Sequence, residues 1–185
     1  DLPLVREALG IEIKFCLVKG RGNYICLRRP DDLEHSYDGE FLLEEHEVGE
    51  FKLLNEWARK TTDGSLSDLN WVPTDSFWEK VCSEKDTCLG LKCSKYTQCL
   101  FYKARRKAAE ADILVVNHHL LFTDLALRAQ TEEYAQTRIL PAYKIVVLDE
   151  AHNLEEIATS HFGFRFTGFG FQRLLGRLYH RRSRH

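Results

Sequence analysis

The chain has 185 residues, with 26 Lys+Arg against 28 Asp+Glu and a formal charge of −2. That length is one ordinary domain or pieces of two, and it can bury a core without disulfide staples. Apolar residues at 44% and charged residues at 29% exclude wholesale disorder, and no apolar run approaches the ~20 residues that span a bilayer.

In chain order, Leu4 to Leu9 reads as the end of a helix stopped by Gly10. Ile13 to Val18 is apolar and β-prone, ended by Lys19-Gly20-Arg21-Gly22. Arg29 to Gly49 is acidic and weakly periodic, a loop or an exposed helix. Phe51, Leu54, Trp57 and Ala58 recur at helical spacing. Thr61 to Asn70 is a turn-rich connection, and Asp75 is expected to cap a short helix carrying Phe77, Trp78 and Val81. The cysteine-rich segment that follows is too irregular for a strand or a long helix. Tyr102 to Ala111, rich in Ala, Lys and Arg, predicts a strong helix.

Ile113-Leu-Val-Val-Asn117 and Ile145-Val-Val-Leu-Asp149 are short apolar runs that each end on a polar residue. Strands buried on both faces of a parallel sheet read this way, and the C-terminal ends of such strands are where α/β sheets bind ligands. The residues between, His118 to Tyr143, are long enough for the crossover helix that parallel strands require. Leu120, Leu121, Asp124, Leu125 and Arg128 have its spacing. Asn153 to Ser160 begins another helix, Phe162 to Phe171 is aromatic and Gly-rich, and Gln172 to Tyr179 is expected to be helical. The fold class is therefore α/β.

Charge is uneven although it sums to almost nothing. Asp31 to Glu56 carries ten acids and one lysine, whereas Lys92 to Ala109 carries six bases and no acid. Further bases cluster at Lys19, Arg21, Arg28 and Arg29, and at Arg181, Arg182 and Arg184. Any one run can be a solvated face; basic runs that flank cysteines also suit a phosphate backbone.

Six cysteines are present, and Cys82, Cys88, Cys93 and Cys99 fall within eighteen residues. The first thirty residues lack the basic, apolar and small-residue regions of a secretion signal, so free thiols, a metal site or a nucleophile compete. Cys88-x4-Cys93-x5-Cys99 with a distant Cys26 makes four thiolates from two segments. Four cysteines serve [4Fe–4S] clusters and zinc alike; paired Cys-x2-4-Cys knuckles, which zinc favours, are absent. Cys82 is expected to be a buried thiol and Cys16 a core residue of its strand.

The other chemical signal is Val146-Val-Leu-Asp-Glu-Ala-His152. A carboxylate at the end of a strand can hold Mg²⁺ against nucleotide phosphates. Asp149 suits that role, Glu150 can polarise the attacking water, and His152 can couple the site to a neighbouring element. The plainer reading is a helix cap, with Glu150 favouring the N-terminal dipole.

Asp149 to His152 spell DEAH and resemble motif II of superfamily 2 helicases. Lys19-Gly-Arg-Gly-Asn-Tyr-Ile-Cys26, Val116-Asn-His-His-Leu-Leu-Phe122 and Val147-Leu-Asp-Glu-Ala-His-Asn-Leu154 come in the order seen in the DinG/XPD family of iron–sulfur DNA helicases, with spacing closer to the bacterial DinG type. The resemblance runs from about Asp1 to Ile157. It implies a [4Fe–4S] cluster on Cys26, Cys88, Cys93 and Cys99, and ATP with Mg²⁺ at Asp149, Glu150 and His152. It also implies 5′-to-3′ translocation on single-stranded DNA with unwinding at single-strand/duplex junctions. Arg21, Lys95, Lys103, Arg105 and Arg106 are the candidate DNA contacts, with Tyr24, Tyr96, Phe101 and Tyr102 for base stacking. Asn117 and His118 would lie near the nucleotide- and DNA-facing edge.

The organisation implied is part of a first RecA-like domain (1–19), a mainly helical iron–sulfur insertion (20–105), the RecA-like domain resumed with its DEAH box (106–153), and the truncated start of a helical Arch domain (154–185). No G-x-x-x-x-G-K-[ST] phosphate loop is present, and there is no methionine. An internal piece of a longer chain, inactive toward ATP by itself, is expected. The whole protein is expected to be monomeric, cytoplasmic and free of membrane. A non-catalytic metal-binding nucleic-acid module, or a relative with nuclease activity, are the alternatives.

Overall fold

The computed structural model describes residues 2–34, 43, 46–130 and 139–162. They fall into two compact units, residues 1–117 and 118–185. The aromatic Gly-rich stretch after Phe162 and the helix expected over Gln172 to Tyr179 lie outside the described residues.

In the first unit, α1 (Leu2–Leu9) ends at Gly10, which takes a positive φ of 61°. β1 (Phe15–Leu17) pairs in parallel with β2 (Ile113–Val115), in the register Phe15↔Ile113, Cys16↔Leu114, Leu17↔Val115. The ladder is extended at both ends: Val18 N–H donates to the Val115 carbonyl (2.8 Å), and Lys14 N–H reaches the Asp112 carboxylate (2.9 Å). Parallel neighbours need a crossover connection, and here residues 18–112 supply it. α2 (Arg29–Glu34), α3 (Glu47–Ala58), α4 (Asp75–Val81) and α5 (Leu100–Ala109) lie within it, with 3-10 turns at Arg21–Asn23, Leu66–Asp68, Gly90–Lys92 and Tyr96–Gln98.

The core of this unit lies in that connection rather than on the sheet. Ile25, Leu54, Phe77, Trp78, Val81, Cys82 and Leu100 are buried together, with Phe51, Trp57 and Ala58 packed against them. The helical spacing of α3 and α4 delivers Leu54, Phe77, Trp78 and Val81 to one face each. Thr74, not Asp75, is the residue that precedes α4; Asp75 occupies its first turn, where a carboxylate favours the helix dipole. A charged tie fixes α3 to α4: the fully buried Glu47 accepts from Lys80 Nζ (2.5 Å) and from the Ser76 hydroxyl (3.3 Å).

Neither strand is buried on both faces, although the composition of Ile113–Asn117 suggested that for β2. Phe15, Leu17, Ile113 and Val115 are exposed, and Cys16 is only half-buried rather than core. The apolar run Ile145–Leu148 forms no strand at all and is exposed, Ile145 to 82% and Val147 to 90%. A β-strand gets its hydrogen bonds from neighbours distant in sequence, and none pairs with this run among the described residues.

In the second unit, α6 (His118–Gln130) and α7 (Leu154–Phe162) pack against each other. The stretch between them includes Ile139–Tyr143, the exposed apolar run, and a 3-10 turn at Ala151–Asn153. No helix among the described residues is long and apolar enough to cross a membrane.

Candidate functional site

Cys26 is placed by a backbone clasp. Residues 24–26 run between the turn at Gly64–Ser65 and the end of α4. Ile25 N–H donates to the Gly64 carbonyl (3.0 Å), Cys26 N–H to the Val81 carbonyl (2.9 Å), and Ser83 N–H to the Tyr24 carbonyl (2.7 Å). The Trp78 indole pins the preceding turn by donating to the Gly22 carbonyl (2.8 Å). Tyr24 is buried and meets Phe101 edge to face at 5.8 Å.

The segment from Cys82 to Cys88 is held by two arginines. Arg29 donates to the carbonyls of Glu79 (2.8 Å) and Cys82 (2.9 Å), to the Glu84 carboxylate (2.7 Å) and to the Thr87 hydroxyl (3.1 Å). Arg28 donates to the Thr87 carbonyl (3.1 Å) and pairs with Asp32. Both belong to the basic cluster whose position beside the cysteines suits a phosphate backbone. Their work here is internal, and Arg29's planar fork suits its many acceptors.

Cys88, Cys93 and Cys99 follow on two 3-10 turns and the start of α5. Gly90, at φ 54°, turns its N–H onto the Cys88 sulfur (3.5 Å). Burial acts to raise the Cys88 thiol, but the Gly90 N–H, the Arg21 guanidinium and the Tyr102 hydroxyl outweigh it and hold it below its ordinary value. Cys99 is pushed up, first by burial. The N–H groups of Tyr102 and Phe101 oppose this, and the charges of Cys26 and Cys88 add to it. Cys26, Cys88 and Cys99 therefore share one electrostatic neighbourhood. Among the described residues, no three His, Cys, Asp or Glu side chains are gathered so as to hold a metal ion. Cys82 stands apart: it is buried in the core, and burial raises its thiol.

The candidate DNA contacts divide into two groups. Arg21 is half-buried, its guanidinium 3.9 Å from the Phe101 ring centroid and bonded to the Ser83 hydroxyl (3.3 Å). The Arg105 guanidinium also lies over the Phe101 ring, 5.0 Å from its centroid, and donates to the Lys19 carbonyl (3.3 Å). Lys95 pairs with Asp31 at 2.9 Å, both partly exposed. Lys103 and Arg106, with Lys107, lie exposed along α5 at helical spacing. Of the four aromatics, Tyr24 and Phe101 are buried and are spent on packing rather than offered to bases. Tyr96 and Tyr102 are half-buried against each other, 4.8 Å apart.

In the second unit, Asp149 and Glu150 end the exposed apolar run, both exposed themselves. Glu150 takes left-handed backbone angles (φ 47°, ψ 45°) and donates its N–H to Asp149 Oδ1 (2.9 Å). A non-glycine residue rarely adopts this conformation, and functional sites hold many that do. His152 Nδ1 lies 3.3 Å from Glu150 Oε2, while the Asp149 carboxylate meets the Glu150 backbone and not its side chain.

Residues 76–168 match the DEAD_2 family. The chain belongs to the DEAD_2 family. It is 38% identical over 164 residues to the ATP-dependent DNA helicase YoaA of Escherichia coli, covering 88% of this chain and 25% of that protein. It is 34% identical over 168 residues to YoaA of Haemophilus influenzae, covering 90% of this chain and 25% of that protein. It is 30% identical over 175 residues to the ATP-dependent helicase DinG of Mycobacterium tuberculosis, covering 86% of this chain and 25% of that protein. The chain spans about a quarter of the length of the curated relatives it matches.

Proposed function

We propose that these residues are an internal segment of an ATP-dependent DNA helicase of the DinG type. The observation that carries this is the 38% identity to a DNA helicase over 88% of the chain, on a segment that ends its apolar run with Asp149, Glu150 and His152. In this reading Asp149 holds Mg²⁺ for ATP, since an exposed carboxylate is a hard oxygen ligand. Glu150 orients and polarises the attacking water, and His152, within reach of Glu150, senses the nucleotide state. Strand order and domain limits follow the same reading: residues 20–105 form an insertion in a first motor domain that resumes over 106–153, with an Arch domain starting at 154.

Cys26, Cys88, Cys93 and Cys99 are the proposed ligands of a [4Fe–4S] cluster. Three observations support the fit. Every donor is a soft thiol, Cys99 lies in the field of both Cys26 and Cys88, and backbone N–H groups point at Cys88 and Cys99. Bound there, the cluster supplies a covalent staple between two chain segments and one-electron chemistry. The exposed face of α5 with Lys103 and Arg106 tracks a single-stranded DNA backbone, and Arg21 and Arg105 brace the cluster loop behind it.

Asp149→Asn in the full-length protein is the deciding experiment. Strand displacement on a forked duplex should fall by at least about 100-fold, with single-strand binding retained. Unwinding that survives the change would show that the motor assignment is wrong.

A further inference from the structure

α6 carries an acid where its apolar stripe should continue. Leu120 and Leu121 are buried on the face that Asp124 shares, and Asp124 is fully buried. Desolvating a carboxylate costs several kcal/mol unless it is paired and hydrogen-bonded. Both oxygens are engaged. Oδ1 accepts from the backbone N–H groups of Ile139 (2.9 Å) and Leu140 (3.0 Å). Oδ2 accepts from Arg128 Nε (2.6 Å) and from the Tyr143 hydroxyl (3.5 Å).

Arg128 extends the tie. Its Nη2 donates to the carbonyls of Leu140 (3.0 Å) and Pro141 (3.3 Å), and its guanidinium lies 4.8 Å from the Tyr143 ring centroid. Leu140 is itself buried. Ile139–Tyr143 is thus fixed to α6 through both its N–H groups and its carbonyls. An apolar contact would hold the segment as firmly. The carboxylate and guanidinium add register, because adjacent donors and acceptors fit them in one alignment only.

Five residues lie between Tyr143 and Asp149, so the six chain steps span at most about 20 Å when extended. Beyond the DEAH box, α7 returns to pack on α6. The stretch that carries Asp149, Glu150 and His152 is therefore held at both ends by one helix. We infer that Asp124 is a positioning residue for the Asp149–Glu150 carboxylates, acting through Arg128 and the Ile139–Tyr143 segment. This rests on the motor reading above.

The test uses the full-length protein with Asp124→Asn and Arg128→Lys. Asp124→Asn keeps shape but turns an amide toward Arg128; Arg128→Lys keeps the cation but gives up the planar fork that meets the carboxylate through Nε and the two carbonyls through Nη2. The readout is the Mg²⁺ concentration for half-maximal DNA-stimulated ATPase activity, beside kcat, single-strand binding and melting temperature. Both variants should need about fivefold more Mg²⁺ and lose about tenfold in kcat, because small misplacements of catalytic groups are costly. Nucleotide-free DNA binding should stay within about twofold. If Asp124→Asn fails to fold, Arg128→Lys is read alone by the same criteria. A purely structural tie would lower ATPase activity, DNA binding and melting temperature together with the Mg²⁺ requirement unchanged, and that result overturns the inference. A wild-type protein with no Mg²⁺-dependent, DNA-stimulated ATPase activity overturns the motor reading, and the inference falls with it.

Discussion

Gly64 is the position where one added carbon should do most harm. Its φ is +71°, a left-handed conformation that costs a residue with a Cβ about 1–2 kcal/mol. A Cβ there would lie 2.2 Å from Leu100 Cδ1, 2.8 Å from its Cβ and 2.9 Å from its Cγ. Leu100 is buried in the core and follows Cys99 directly, so it has little room to move. Overpacking of this kind costs about 1–3 kcal/mol. The smaller conformational entropy of unfolded Ala returns about 0.4–1 kcal/mol. Gly64→Ala should therefore lose roughly 2–4 kcal/mol, a large share of the ~5–15 kcal/mol that holds a domain together. Urea unfolding of the full-length protein, followed by tryptophan fluorescence, measures it. Leu100→Ala gives the decisive second leg. Alone it costs about 2–5 kcal/mol as a cavity, but it removes Cδ1 and Cγ, the 2.2 Å and 2.9 Å contacts, and leaves only the 2.8 Å contact with the Cβ of residue 100. The double variant should be less destabilised than the two losses added together, by about 1 kcal/mol or more. A Gly64→Ala loss below about 0.5 kcal/mol, or strict additivity, would refute the steric argument.

Gly49, in α3, has nothing within 4 Å of an added Cβ. Gly49→Ala should stabilise by up to about 1 kcal/mol through helix propensity, the opposite sign from Gly64, read in the same urea titration. Cys88→Ser should cost the anaerobically purified protein its brown colour and its iron, whereas Cys82→Ser should keep both; a colourless wild type with stoichiometric zinc refutes the cluster. Lys103→Ala and Arg106→Ala should each reduce the salt dependence of single-strand binding by about 0.7 in log–log slope. Partial burial works to raise the Asp63 carboxyl, but hydrogen bonds from Ser65 and the Lys19 ammonium outweigh it and hold it below its ordinary value. A depressed carboxylate contributes stability that is whole above its unfolded value and lost as pH falls. Asp63→Asn should therefore flatten the decline in melting temperature below about pH 4 and leave the neutral range nearly pH-independent.

Helices were legible in the sequence because their signal is local. Phe51, Leu54, Trp57 and Ala58 lie one turn apart, and α3 forms over them. α5, α6 and α7 likewise fall within a residue or two of their expected starts. Composition marked Ile113–Val115 as a parallel strand, but its partner is Phe15–Leu17 and not the expected Ile145–Leu148, which shows the limit of that reasoning. β-branched runs report an affinity for a sheet, not the presence of a neighbour. The burial of Tyr24 and Phe101, and the stacking of Arg21 on Phe101, needed segments distant in sequence to be brought together. Asp124 was visible only as an oddity. It sits on an apolar stripe with an arginine four residues on, yet its main partners are backbone N–H groups that leave no trace in a side-chain pattern.

The exposed apolar run and the buried clamp before it make one physical argument. Ile139–Tyr143 is fixed by charge and hydrogen bonds, which hold regardless of what surrounds Ile145–Leu148. The run itself leaves four aliphatic side chains between 45% and 90% exposed. Burying each would contribute about 1.5–3 kcal/mol, so the extended stretch gains strongly from any sheet that accepts it. An anchored start and an unsatisfied run are what a central strand needs before its neighbours arrive. If the run joins a sheet, the clamp would favour one register, because slipping by one residue would turn every side chain to the opposite face and rotate Asp149 away with them. On the inference drawn above, the placement of the proposed Mg²⁺ carboxylate would then depend on Asp124 as well as on the sheet.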